Sequence, residues 1–173
     1  MCHKFWWLAP ATVKGHFSLG DFKKLDITDL IQTPLKTSSH YVFFTMSYYP
    51  VFLVEDYGEP RNHHALWAQT SDAGAGFLYH VVGPVNNGAM HYDPRPTHSS
   101  PKELMTFVRM TQIGCISSHD LPRMDEICRS NQAPIMQMQD GQLLYPGTPL
   151  RRCQEWTAET IELLKDAGVL VQR

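Results

Sequence analysis

The segment from Cys153 to Gly168 constrains the fold more than any other. Trp156, Ile161, Leu164 and Ala167, with Leu163 beside them, recur at the spacing of one helix face. Residues 154–167 therefore read as an amphipathic helix that must lie on an apolar surface. Gly168 follows as a C-cap, and Lys165 in the last turn suits the negative end of the helix dipole. Cys153 stands at or immediately before the helix start.

The surface for that helix comes from the middle of the chain. Tyr41 to Tyr49 is aromatic and β-branched and predicts a buried strand; Pro50 breaks it, and Val51 to Val54 continues it after a bulge. His63 to Thr70 and Phe77 to Val82 predict two strands of a hairpin around the loop 71–76. Phe107 to Ile116 predicts a further strand. Asp120 predicts the N-cap of a helix over Leu121–Arg129, with Pro122 in its first turn. Residues 83–101 and 131–151 are rich in turn formers and read as loops, with turns at Asp140-Gly141 and Pro146-Gly147. Residues 1–40, with the cluster Phe5, Trp6, Trp7 and a short helix candidate from Asp21 to Gln32, read as an N-terminal extension. Residues 41–173 read as a single domain. The fold class is α+β, an antiparallel sheet packed against the cysteine-bearing helix.

Composition narrows the function classes. A chain of 173 residues builds one domain that buries about 68–70% of its unfolded surface. Only 18% of residues are charged while 11% are aromatic, which is the balance of a packed chain rather than a disordered one. The net charge of −2 shows no basic footprint for nucleic acid. No apolar run reaches the ~18 residues of a membrane span. Pro10 interrupts Phe5–Ala9, so no secretory signal is read. The cysteines at 2, 115, 128 and 153 form no CxxC pair, and the expectation is a cytoplasmic protein with reduced thiols.

The chemistry centres on Cys153. A helix start offers unsatisfied N–H groups and the positive end of the dipole, both of which favour thiolate over thiol. Arg151 and Arg152 add two positive charges directly before it. A packed, inert cysteine is the alternative on position alone, and Cys115 and Cys128 read that way. His64, heading one strand of the hairpin, and His80, near the middle of the other, can sit side by side on one face. A base and a group that orients it are what a cysteine nucleophile needs. Two satisfied polar residues on a sheet are the alternative there. His63 alternates away from His64 and reads as exposed or capping. Arg152, Trp67 and His91 are expected around the substrate pocket, as is Trp156, for which core packing stays equally open. No metal and no cofactor are expected: His91, Asp93, His98 and His119 carry no ligand spacing, and a zinc site from His64, His80 and Cys153 has no supporting motif.

A histidine in an HxAL-type strand, a second histidine on the partner strand, and a late cysteine opening an amphipathic helix resemble the circularly permuted papain-like hydrolases. The lecithin–retinol acyltransferase group of thiol acyltransferases and phospholipases belongs there. His64-Ala65-Leu66-Trp67 and Cys153-Gln154-Glu155-Trp156 also resemble segments of a group of small fungal proteins with an HWAL-like strand and an NCQxW-like helix start. The resemblance covers about residues 41–168. It implies a permuted papain-like fold, with Cys153 as nucleophile, His64 as general base and His80 as the orienting polar residue. The sequence departs from it at Arg152, where Asn is expected, and at Ala65, where an aromatic is expected. The expected function is a cysteine-dependent hydrolase or acyltransferase acting on a small-molecule thioester, ester or amide, in the setting of fungal small-molecule biosynthesis. The alternatives are a non-catalytic module that binds a small molecule or peptide in the same cleft, and a cofactor-free acid–base enzyme.

Overall fold

The computed structural model describes residues 5–6 and 45–172. The chain divides into two compact units, Phe5–Thr45 and a larger one that carries the five-stranded sheet and both helices. Two short strands, β1 (Phe5–Trp6) and β2 (Thr45–Met46), are the described part of the chain before Ser47. Trp7 and the expected helix over 21–32 lie outside the described residues.

The centre of the larger unit is a five-stranded antiparallel sheet. Its strands are β3 (Tyr48–Asp56), β4 (His63–Gln69), β5 (Gly76–Tyr79), β8 (Arg95–Thr97) and β9 (Phe107–Ser117), in the order β8-β5-β4-β3-β9. The expected α+β class with an antiparallel sheet is what the structure shows. Pro50 does not break β3, contrary to expectation. Pro50 stands opposite Cys115, whose N–H and C=O are both turned to Val171 at 2.8 and 2.9 Å. The two strands exchange no hydrogen bond at that pair, so the missing proline N–H is not needed. Pairing of β3 with β4 begins only at Val51, opposite Ala68.

The excursion over 83–101 is not wholly irregular. It holds β7 (His91–Tyr92), which pairs with β6 (Val81–Val82), and β8, which forms one edge of the sheet. The hairpin of β10 (Met138–Gln139) and β11 (Gln142–Leu143) turns through Asp140 and Gly141 with φ of 49° and 79°, as Asp-Gly predicts. Gly76 is required by close approach: a Cβ there would lie 2.3 Å from the Ala68 carbonyl oxygen.

Helices α1 (Leu121–Ser130) and α2 (Cys153–Asp166) pack on the sheet and on each other. The main core joins Val51, Leu66, Ala68, Tyr79 and Ile116 of the strands to Met124, Trp156 and Leu164 of the helices. The buried side of α2 is Trp156, Thr157, Thr160 and Leu164, while Leu163 is exposed. Thr160 can be buried because its hydroxyl donates to the Trp156 carbonyl at 2.7 Å and accepts from Asn131 at 2.8 Å. Gly168, at φ 66°, closes α2, with Val169 N–H donating to the Leu164 carbonyl at 3.0 Å.

Candidate functional site

Cys153 is the first residue of α2, with Arg152 extended before it at φ −122° and ψ −169°. The Glu155 carboxylate turns back to accept the Arg152 backbone N–H at 2.9 Å, which fixes the helix entry. The thiol is buried against the core yet borders a cleft of about 370 Å³. The other walls are the loop from Gly58 to Asn62, the start of β4 at His63, and Gly83–Val85 with Met90.

His63 reaches this cleft because the loop before it is tied to the helix start. The Gln154 side-chain amide donates to the Asn62 carbonyl at 2.9 Å, and Arg61 pairs with Glu155 at 2.9 Å. His63 is half-buried rather than exposed or capping, and its Nε2 lies 2.9 Å from His80 Nδ1. His80 Nε2 in turn lies 3.2 Å from Asp93 Oδ2. The structure thus strings Asp93, His80 and His63 into one chain that ends at the cleft shared with Cys153.

His64 has other partners and does not border the cleft. Its Nε2 lies 3.9 Å from Glu55 Oε2, and Glu55 is also bound by Arg109 at 2.7 Å. This revises the expected pairing of His64 with His80. Alternation along a regular strand puts His64 with Leu66 and Ala68 on the helix-covered side. His63, at the junction of loop and strand, is aimed by the Arg61 and Asn62 ties instead. In the sequence, the run His63-His64-Ala65-Leu66 reads H-x-A-L, which the run starting at His64 does not.

The expected pocket residues separate. Arg152 borders the cleft; Trp67, Trp156 and His91 do not. Trp67 is fully buried in a second cluster with Val54, Ala65 and Leu78, and its indole N–H donates to Thr97 at 3.0 Å. Trp156 is core, its N–H donating to the Asn131 carbonyl at 2.7 Å. His91 is exposed on β7. Arg151, expected to add positive charge beside Cys153, has its guanidinium engaged by other groups. Its guanidinium grips Glu159 at 2.8 and 3.0 Å and the Gln132 carbonyl at 2.7 Å.

Residues 51–171 match a protein family described as a family of unknown function, DUF6540. The chain belongs to that family. No curated protein and no solved structure matches it. The DUF6540 span runs from β3 to Val171 and so contains the whole sheet from Val51 on, both helices, and every residue of the cleft and of the Asp93–His80–His63 chain.

The electrostatics of the chain favour uncharged imidazoles. Burial, with the neighbouring His80, His64 and Arg95, pushes the His63 pKa down to about 4. Burial and Arg95 also lower that of His80, against the opposing pull of Asp93. A neutral imidazole is the form that accepts a proton. Of the other thiols among the described residues, Cys115 is disulfide-bonded, which corrects the expectation of reduced cysteines, and Cys128 is free but buried, with burial and then Asp125 pushing its pKa up to about 12.

Among the described residues, no group of three or more His, Cys, Asp or Glu side chains is arranged to hold a metal ion. No helix among them is long and apolar enough to cross a membrane.

Proposed function

We propose that this DUF6540 protein is a cysteine-dependent acyl-transfer enzyme in which Cys153 is the nucleophile, His63 the general base and His80 the residue that orients it. One observation carries the reading: a single cleft borders both Cys153 and His63, and His63 Nε2 is engaged by His80 at 2.9 Å. The order of histidine, histidine and helix-opening cysteine resembles the permuted papain-like and lecithin–retinol acyltransferase-like enzymes, and this supports the same assignment with His63 in place of His64.

In the reaction, the Cys153 thiol gives its proton to His63 and its sulfur attacks the acyl carbon of a thioester, ester or amide. The carbonyl oxygen becomes an oxyanion, for which the backbone N–H of Cys153 at the start of α2 is the candidate donor. Collapse of the tetrahedral species breaks the bond to the leaving group, which takes the proton from His63 and leaves a thioester on Cys153. Water, for hydrolysis, or an alcohol or amine, for transacylation, then gives its proton to His63 and attacks the thioester carbon; the C–S bond breaks and His63 returns the proton to the Cys153 sulfur. The cleft volume suits a small-molecule substrate.

The test is incubation with an activated acyl ester followed by intact-mass measurement and peptide mapping. One acyl group on Cys153, absent in Cys153→Ser and strongly reduced in His63→Ala, is the expected result. Tight binding of the ester with no mass gain at Cys153 sinks the enzyme reading and leaves the cleft a binding module.

A further inference from the structure

We propose that Asp93 is a positioning residue of this site: it sets the tautomers of His80 and His63 so that His63 presents a bare Nδ1 as the base. The inference rests on the reading of His63 as base.

Donor and acceptor chemistry fixes the two tautomers. An ionised carboxylate can only accept hydrogen bonds, so at 3.2 Å from Asp93 Oδ2 the His80 Nε2 must carry the proton. A neutral imidazole then has an acceptor at Nδ1. His63 Nε2, 2.9 Å from that Nδ1, must be the donor of the next bond. His63 therefore holds its proton on Nε2, and Nδ1 is the nitrogen left to take a proton. With both tautomers reversed, His80 Nδ1–H would still donate to His63 Nε2, but His80 Nε2 and Asp93 Oδ2 would face acceptor to acceptor, so the Asp93 contact sets the direction of the chain.

The backbone holds Asp93 in place independently of its side chain. In the ribbon of β6 and β7, Val81 pairs with Tyr92 and Val82 with His91. The same register continued by one residue sets Asp93 opposite His80, and the Asp93 N–H donates to the His80 carbonyl at 2.9 Å. Facing side chains on such a pair meet directly. A slip of one residue would bring Tyr92 or Pro94 opposite His80 and remove the acceptor. The groups acting electrostatically on His80 are Arg95, Asp93 and His91; on His63 they are His80, His64 and Arg95. Asp93 is the carboxylate among them, and its side chain is 40% exposed while that of His80 is 4%. Its replacement therefore leaves the core packing in place.

The experiment is long-range nitrogen–proton NMR on ¹⁵N-histidine-labelled full-length protein near neutral pH, with the imidazole signals assigned by single His→Gln variants. In the unsubstituted protein, His63 and His80 should both be Nε2–H tautomers. Asp93→Ala should convert His80 wholly or partly to Nδ1–H and alter the His63 pattern, while Asp93→Glu should restore the original signals. The acylation rate of Cys153 should fall about 10- to 100-fold in Asp93→Ala and recover in Asp93→Glu. A His63 signal of the Nδ1–H form in the unsubstituted protein overturns the proposal, and that spectrum decides even if Asp93→Ala does not fold. So does an Asp93→Ala spectrum identical to the original. If the tautomers respond as stated but Cys153 is never acylated, the positioning role of Asp93 stands and the acyl-transfer reading falls.

Discussion

Two adjacent histidines, His63 and His64, meet different neighbours, and the proposed function therefore weights them differently. His63→Ala should slow acylation of Cys153 by about 10²–10⁴-fold, the usual worth of a general base. His64→Ala should change it by less than about threefold, since that ring lies against Glu55 outside the cleft. Stopped-time mass measurement of the acyl adduct compares them directly; equal losses would return the base role to His64. The same rings shape the acid response. Both His63 and His80 have folded pKa values below the ordinary ~6.5, His63 at about 4. Above ~6.5 they are neutral in folded and unfolded chains alike. As pH falls from ~6.5 towards ~4, the unfolded chain binds protons that the fold resists, so stability drops across that window. Solvent screening at the half-buried His63 keeps the effect to about 1–2 kcal/mol. Urea titrations at pH 7.5 and 5 check it. His63→Gln should flatten part of the slope; an unchanged slope would mean that the ring is solvated.

At the scale of elements, α2 ties the stability of the fold to the candidate site. Its first turn carries Cys153, its entry is held by Glu155 on the Arg152 N–H, and Glu155 also holds Arg61. Glu155→Ala should therefore cost about 1 kcal/mol of stability, as a lost cap does. It should also slow acylation more than a stability change of that size explains, because the loop before His63 loses its tie to the helix. Thermal unfolding and the acylation rate, measured on the same variant, separate the two effects. An unchanged rate would leave Glu155 with a capping role alone. The helix was legible as 154–167 and observed as 153–166 because its apolar residues recur at the helical period. Its buried threonines were not legible, because satisfaction of the Thr160 hydroxyl depends on Asn131, a neighbour that the period does not reveal. The strand β8 was missed for a related reason. Arg95-Pro96-Thr97 has no strand pattern of its own and is recruited by pairing with Gly76–Leu78.

Across the whole molecule, the free thiols should report two different events. Cys128 is fully buried in the main core, and its thiol is pushed up to about 12. Alkylation there requires the core to open, so its labelling should rise with urea in step with global unfolding. Cys153 borders the cleft and should be labelled in the native protein without denaturant. Peptide mapping after iodoacetamide treatment distinguishes them. Native labelling of Cys128 ahead of Cys153 would contradict the packing described here.

By itself, the sequence determined the α+β class, the hairpin around 71–76, and the helix that Cys153 opens. Each follows from signals between residues close in the chain: period, turn chemistry, and a cysteine next to a helix start. The tertiary structure decided which histidine shares a cleft with the cysteine, that Asp93 stands behind His80, and that Arg151 is spent on Glu159. Those outcomes depend on contacts between segments far apart in sequence, such as Asn62 with Gln154 and Arg61 with Glu155, 92 and 94 residues apart. A strand's alternation tells that neighbouring side chains part company. It cannot tell where the first one points when a distant helix holds the loop that leads into it.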